Sequence, residues 1–261
     1  MRPLLKPGYR WTEHISFGFK REKLYTKIET AVPLERPTLQ NTQNKRSTHM
    51  DKSKHSCIDC GLTNCNLQDK QYPDFCITTH MDENVLAEAM ELYKEDENRR
   101  SMIAAGEVEY DHYCQYTRIE EIMAYARKMG MKKIGIATCV GLISESRTLA
   151  SILRHNGFEV YGIACKAGVQ KKTDVGIPER CNAIGENMCN PILQAKLLNE
   201  AKTDLNVVVG LCVGHDSLFY KYSDALVTTA VTKDRVTGHN PVAALYGANF
   251  YFKKRLYPEN K

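Results

Sequence analysis

The sequence lacks any long apolar run. None of its segments reaches the roughly eighteen consecutive apolar residues that a membrane-spanning helix requires. Its first residues also lack an apolar stretch of the length found in secretory signal peptides. We therefore expect no membrane partner and a cytoplasmic location, where the ten cysteines would stay reduced and be available for metal ligation or catalysis.

Most of the chain also lacks an excess of positive charge. The formal net charge is +5, but residues 1–49 hold ten of the 36 Lys and Arg residues and four of the 31 Asp and Glu residues. The remaining chain is therefore nearly neutral, and a neutral surface binds a phosphate backbone poorly. We expect no nucleic-acid partner.

Residues 1–49 contain no cysteine and no sustained apolar period, whereas the patterned sequence begins just after Met50. Two interpretations stay open for this basic segment. It is a disordered extension, or its start codon is assigned in error and Met50 is the true start. In both cases we expect the chemistry elsewhere, in a Cys-rich metal-binding segment at 50–80 and an α/β domain at 81–261.

Helix signals mark the second of these regions. A capping box formed by Thr117 and Glu120 predicts the start of a helix whose apolar stripe ends at Gly130. The pairs Asn190-Pro191 and Asn240-Pro241 each supply a capping residue followed by a proline suited to the first helical position. Apolar periodicity predicts two further helices, at 84–105 and at 143–155.

Short apolar runs between these helices predict four buried strands. They lie at 133–139, 158–165, 206–212 and 225–231. Strands that alternate with helices form parallel sheets with helices packed on both faces. The sequence therefore predicts a doubly wound, mainly parallel sheet in a Rossmann-like three-layer arrangement.

A first group of cysteines lies within twenty residues and has the spacing of a metal site. Its members are Cys57, Cys60, Cys65 and Cys76. Four thiolates this close can surround one zinc ion or iron–sulfur cluster, and the spacing does not separate the two. The segment has little apolar content, so a metal would supply folding energy that a core cannot.

A second group consists of cysteines at equivalent positions of the predicted sheet. Cys139, Cys165 and Cys212 each lie at the carboxyl end of a strand, and Cys189 lies just before a helix. The carboxyl edge of a parallel sheet is where ligands bind. The pattern indicates a thiolate or iron–sulfur site, and inert buried thiols are the open alternative.

Polar residues accompany this second group. Gly214 permits a tight turn after which His215 would project beside Cys212, so we nominate His215 and Cys212 as catalytic, with His215 moving a proton or ligating a metal. A solvent-facing histidine is the alternative. Lys166 could bind a small anionic ligand. The loop after the fourth strand places three more groups near the same edge: Asp234, Arg235 and His239.

Taken together the motifs resemble a known family. They occur in the order Cys-x-x-Cys-x-x-x-x-Cys, Thr-Arg-Ile-Glu-Glu, Ile-Ala-Thr-Cys, Cys-Lys-Ala-Gly, Met-Cys-Asn-Pro, Gly-Leu-Cys-Val-Gly-His-Asp-Ser and Lys-Asp-Arg-Val-Thr-Gly-His-Asn-Pro. This order is similar to that of the prokaryotic domain of unknown function 1847 family, whose members are described as predicted metal-binding proteins. The resemblance covers residues 54–250. It implies metal binding by the first cysteine group and marks the second as family motif positions, and it implies no reaction.

Two classes of function therefore stay open. The first is a metal-binding protein with a second thiolate or iron–sulfur centre that performs redox or sulfur chemistry. The second is a non-catalytic protein, stapled by structural zinc, that binds or senses a metal or a small molecule. A zinc-ribbon adaptor for protein partners would leave the cysteines at the sheet edge unexplained.

Overall fold

The structure is a computed structural model that describes residues 55–259. The described residues divide into two compact units, one ending at His80 and the other beginning at Met81. The expectations for residues 1–49 lie outside the described residues.

The first unit is short and has little regular structure. It contains a 3-10 turn at Cys57–Asp59 and a single helical turn, α1, at Ile77–His80. The Asp59 carboxylate accepts a hydrogen bond from the Ser56 backbone N–H over 2.7 Å and so closes the 3-10 turn. Within residues 55–80 the only buried side chain is Cys76. This unit therefore has no apolar core of its own among its described residues.

The second unit is built on a four-stranded sheet. The strands are β1 at Lys133–Thr138, β2 at Glu159–Ala164, β3 at Leu205–Val209 and β4 at Leu226–Val231. All pair in parallel, in the order β2-β1-β3-β4. The predicted α/β class with a parallel sheet is confirmed. The order reverses direction between β1 and β3, which makes their carboxyl ends the switch point of the fold.

Eight helices belong to the described part of the second unit. They are α2 at Glu83–Leu92, α3 at Asp96–His112, α4 at Arg118–Met129, α5 at Ile143–His155, α6 at Pro191–Glu200, α7 at His215–Tyr222, α8 at Val242–Tyr246 and α9 at Lys253–Leu256. Short 3-10 helices lie at Val140–Leu142, Thr173–Val175 and Glu179–Ile184.

The core lies on both faces of the sheet. Ile136 and Val207 face α4 and α5, whereas their neighbours Ala137 and Val208 face α6 and α7. Successive residues of a strand point to opposite faces, so strands buried on both faces are continuous apolar runs. The helices therefore form one layer on each side of the sheet, as the sequence predicts.

The prediction of one continuous helix at 84–105 is wrong, because the chain forms two helices there. The side-chain amide of Asn98 donates to the carbonyl of Leu92, the last residue of α2, over 3.0 Å. The same amide donates to the Glu95 carboxylate over 2.9 Å, and Glu95 has extended backbone torsions. The stripe that suggested one helix is exposed, with Val85 at 62% exposure.

The helix signals further along the chain are mostly confirmed. Thr117 and Glu120 form the predicted capping box of α4, and Gly130 ends that helix with a left-handed φ of 74°. The Asn190 side chain accepts a hydrogen bond from the backbone of Leu193 at the start of α6. The Asn240 prediction is wrong, because α8 is preceded by Pro241 and has no side-chain cap.

None of the helices within residues 55–259 has both the length and the apolar character needed to cross a membrane.

Candidate functional site

The site lies at the carboxyl ends of β1 and β2. Thr138 and Ala164 are aligned in the parallel ladder, so the next residues, Cys139 and Cys165, leave the two strands side by side. The backbone N–H of Cys165 donates to the carbonyl of Thr138 over 2.8 Å and continues the ladder by one bond. Both thiols are buried. Neighbouring strands are about 4.8 Å apart, so the two cysteine backbones lie close together.

Cys189 reaches the same point from the other direction. It precedes the Asn190 cap of α6, and the N–H of Asn190 donates to the carbonyl of Cys165 over 2.8 Å. This bond ties the start of α6 to the end of β2. A loop of 24 residues between Cys165 and Asn190 therefore returns to the sheet edge and sets Cys189 against Cys165.

The three thiols form a row with Cys165 in the middle, and we call Cys139, Cys165 and Cys189 the thiol row. Cys165 is within hydrogen-bonding range of both of the others. Those two hydrogen bonds raise the pKa of Cys165 and keep its thiol protonated. A thiol has one proton, so Cys165 can donate to one neighbouring sulfur at a time.

Each end of the thiol row has its own cationic partner. Hydrogen bonding from Cys165, the backbone N–H of Gly141 and the ammonium of Lys233 lower the pKa of Cys139 to about 5. The Lys233 Nζ lies 3.4 Å from the Cys139 Sγ. Because a nearby positive charge favours the thiolate, the contact with Lys233 supports the ionised form of Cys139 even when Cys165 donates elsewhere.

The other end of the row pairs with a histidine. The imidazole of His215, the first residue of α7, lies close enough to Cys189 for each group to shift the pKa of the other. After the hydrogen bond from Cys165, this contact and the charge of Lys166 lower the pKa of Cys189 to about 4. The same contact with Cys189 raises the pKa of His215. Cys189 and His215 therefore form a thiolate–imidazolium pair, which is the arrangement of an activated sulfur nucleophile.

Cys212 lies beyond the end of β3 and contacts a further cation. The Arg235 Nη2 is 3.2 Å from the Cys212 Sγ. The guanidinium of Arg235 also lies close enough to Cys139 and Cys189 for their charges to contribute to its raised pKa, after the larger effect of Cys212. Arg235 is exposed, whereas the thiol row beneath it is buried or half-buried. It therefore covers the solvent side of the cluster.

The loop that carries these cations is shaped by its own polar groups. The Asp234 carboxylate accepts hydrogen bonds from the backbone of Val236 over 2.8 Å and of Thr237 over 3.0 Å. The His239 Nδ1 accepts from the Asp234 backbone over 3.1 Å. Asp234 and His239, which the sequence placed near this edge, therefore hold the loop in shape rather than contact the thiols.

The four cysteines of the first group lie in two pairs, and no hydrogen bond between the pairs is seen in the described residues. Cys57 and Cys60 lie at the two ends of one 3-10 turn, with the Cys60 N–H 3.3 Å from the Cys57 carbonyl oxygen. Partial burial, then the charges of Asp69, Cys65 and Cys76, raise the pKa of Tyr72, so Cys65 and Cys76 both lie near its phenol.

Within residues 55–259, no group of three or more His, Cys, Asp or Glu side chains is arranged to hold a metal ion. The metal site at Cys57, Cys60, Cys65 and Cys76 therefore stays a prediction, as does a metal or cluster at the second group.

Sequence reasoning found most of the second group and missed part of its surroundings. It set His215 beside Cys212, and the two backbones are joined by a 2.9 Å hydrogen bond, but the imidazole pairs with Cys189. It did not single out Lys233 as a partner of Cys139. The signal was available, because Lys233 closely follows the predicted end of β4 and so lies at the same edge of the sheet.

The match with a protein family covers most of this architecture. A family model described as protein of unknown function, DUF1847, matches residues 76–230. The chain belongs to this family. It is also similar to the uncharacterized protein MJ0455 of Methanocaldococcus jannaschii. The two are 46% identical over 175 residues, which cover 66% of this chain and 89% of that protein.

The DUF1847 match includes the thiol row but only part of its surroundings. Residues 76–230 contain Cys212 and His215, but end before Lys233 and Arg235 and begin after Cys65. The family description and the relative's name assign no activity.

Proposed function

We propose that this DUF1847 protein is a thiol-dependent protein whose thiol row performs redox or sulfur chemistry at the carboxyl edge of its sheet. One observation carries the proposal: three cysteines converge at one edge of the sheet, where the Lys233 Nζ lies 3.4 Å from the Cys139 sulfur and where Cys165 and His215 lower the pKa of Cys189. Buried cysteines that serve only as small apolar residues do not need cationic partners.

The arrangement suits thiol–disulfide exchange with a small disulfide. The Cys189 thiolate attacks one sulfur of the disulfide, forms a mixed disulfide and expels a thiolate, which takes the proton of the His215 imidazolium. Cys165 then gives its proton to the neighbouring Cys139 thiolate, and its sulfur attacks Cys189. The second thiolate leaves and takes that proton from Cys139, which returns to the thiolate form. The protein gains one disulfide, the small disulfide is reduced to two thiols, and His215 ends neutral.

The test is to map the disulfide that forms. The reduced protein is treated with a small disulfide without oxygen and then digested for mass spectrometry of its cysteine peptides. We expect a bond between Cys165 and Cys189 or Cys139 in the wild type. Cys165→Ala should stop at the mixed disulfide on Cys189, whereas Cys114→Ser, which changes an exposed thiol outside the row, should behave like the wild type. A row that stays unmodified would contradict the proposal.

A metal or iron–sulfur cluster at the same edge is the second candidate. The donor chemistry fits, because Cys139, Cys165, Cys189, Cys212 and His215 offer thiolate and imidazole ligands. The backbone N–H of Val140 also lies 3.5 Å from the Cys165 Sγ, a contact that suits a charged sulfur. Since the described side chains are not arranged around a metal, the side chains would have to reorient to bind one. Iron and sulfide with a visible charge-transfer band, lost in Cys165→Ala, would favour this candidate.

For the first cysteine group we propose a structural site for zinc or an iron–sulfur cluster. The donors fit in kind, and the contact with Thr79 lowers the pKa of Cys76 and so favours the thiolate form that metals require. A bound metal would stabilise residues 55–80, which bury only Cys76. Native mass spectrometry should find metal in the wild type and in Cys114→Ser, and a loss of that metal in Cys57→Ser. Equal metal content in all three would contradict the proposal.

We also propose a cytoplasmic location. All ten cysteines are free, as expected of thiols in a reducing compartment.

A further inference from the structure

The charges around the thiol row are mostly of one sign. Lys166, Lys233, Arg235 and His215 all lie at this edge of the sheet, and each of them contacts a thiol or acts on Cys189 directly. Among residues 55–259, none of the ion pairs with a carboxylate involves the two lysines or the arginine. Among the described residues, these three cations therefore act on thiols and have no carboxylate partner that would compete with a bound anion.

The nearby carboxylates are turned to other partners. Asp234 accepts two backbone hydrogen bonds from its own loop. Asp216 accepts one from the Ser217 N–H over 2.8 Å. Neither carboxylate is in contact with a sulfur of the row, so among the groups that act on the row the four cations outnumber the two thiolates, Cys139 and Cys189.

Arg235 occupies the position that an approaching molecule meets first. Its side chain is exposed, and its Nη2 contacts the half-buried Cys212. Lys233 is less exposed than Arg235, and its side chain passes over Gly141 and Gly210. A Cβ at Gly141 would lie 3.3 Å from the lysine Nζ, and one at Gly210 would lie 3.6 Å from its Cδ. Arg235 and Lys233 therefore place positive charge both at the exposed surface and next to the buried Cys139.

Resting on the proposed thiol chemistry, we infer that the molecule attacked by the thiol row is a small anionic disulfide, recognised by Arg235 and Lys233. The carboxylates of such a molecule supply the carboxylate partners that Arg235 and Lys233 lack in the described part of the chain. Positive charge at the entrance raises the local concentration of an anion, and it also stabilises the thiolate that leaves. The bonds broken and formed are those of the exchange described above, with the anionic disulfide as the oxidant.

The test compares three disulfides of similar size and different charge. Dithiodipropionate is anionic, hydroxyethyl disulfide is neutral and cystamine is cationic. The rate at which each modifies the reduced full-length protein is divided by its rate with a small neutral thiol, because the disulfides differ in intrinsic reactivity. At low ionic strength we expect the normalised rate for the anion to exceed that for the neutral disulfide by about 10-fold and that for the cation by more. Added salt should reduce both ratios.

Arg235→Gln identifies the residue responsible. We expect this variant to reduce the anion-to-neutral ratio several-fold, a readout that a general loss of folding would not move. Arg99→Gln is the matched control, because Arg99 is an exposed arginine of α3 paired with Asp96 over 3.3 Å. It should keep the wild-type ratio.

The outcomes separate the two proposals. Equal normalised rates for the three disulfides would overturn the anionic preference and leave the thiol chemistry standing. Failure of all three to react would overturn the thiol chemistry and the inference with it. A preference that survives in Arg235→Gln would overturn the recognition by Arg235.

Discussion

The side-chain amide nitrogen of Gln194 lies 2.7 Å from the carbonyl oxygen of Ile163 and donates a hydrogen bond to it. The same nitrogen donates to the carbonyl of Thr138 over 3.1 Å. Ile163 belongs to β2 and Thr138 to β1, and each lies within two residues of a cysteine of the thiol row, Cys165 and Cys139. The fully buried glutamine of α6 therefore ties together the strand ends that carry two of these thiols.

Loss of this amide should destabilise the fold. We expect Gln194→Leu to lower the free energy of unfolding by about 1–3 kcal/mol, because buried carbonyls lose a hydrogen-bond donor. Lys196→Leu introduces the same residue at an exposed position of α6 and should stay within about 0.5 kcal/mol of the wild type. Urea unfolding of the reduced proteins measures both. A wild-type urea midpoint in Gln194→Leu would show that the amide does not hold the strand ends.

The pair of Cys189 and His215 predicts an unusual pH dependence of alkylation. Because the pKa of Cys189 is lowered to about 4, we expect its reaction with neutral iodoacetamide to continue well below about pH 8.5, where a free thiol loses reactivity. His215→Gln removes the cation that stabilises the thiolate, so the midpoint of the pH profile should move upward. Mass spectrometry of the Cys189 peptide after brief alkylation gives the profile. The same midpoint in both proteins would contradict the ion pair.

Gly210 is required by the turn after β3. Its φ is +62°, and a Cβ there would overlap the side chain of Leu142, which is buried beside the site. We expect Gly210→Ala to cost about 2–4 kcal/mol, from left-handed backbone strain and overpacking together. Gly106→Ala, in the open interior of α3, should be neutral or stabilising by up to about 1 kcal/mol. The thermal unfolding temperature should therefore fall in Gly210→Ala and stay unchanged or rise in Gly106→Ala, and a similar fall in both would refute the steric argument.

The capping box of α4 predicts a smaller effect. The Glu120 backbone N–H donates to the Thr117 hydroxyl, and contacts with Thr117 lower the pKa of the Glu120 carboxyl. Thr117→Ala should lower the free energy of unfolding by about 1 kcal/mol. Thr148→Ala removes an exposed hydroxyl that bonds back to Ser144 within α5, and we expect it to be neutral or slightly stabilising. Equal stabilities of the two variants would argue against the cap.

Local signals in the sequence determined much of this protein. Thr117, Gly130 and Asn190 act on backbone groups within four residues, so their roles as helix boundaries can be inferred without knowing the fold. The sequence also determined that Cys139 and Cys165 meet at one edge of the sheet. The carboxyl ends of neighbouring parallel strands lie side by side, so the residues that follow them are brought together.

Tertiary structure decided the rest. The approach of Cys189 to Cys165 depends on the path of a 24-residue loop, and no periodic pattern records that path. The contacts of Lys233 with Cys139 and of Arg235 with Cys212 depend on strand order, because they join the ends of β4, β1 and β3. The break after Leu92 could not be predicted from apolar periodicity either. The last carbonyl of α2 is capped by the side-chain amide of Asn98, which is the third residue of α3. Sequence patterns act over one or two turns of chain, whereas the charges that activate these thiols come from residues up to 94 positions away.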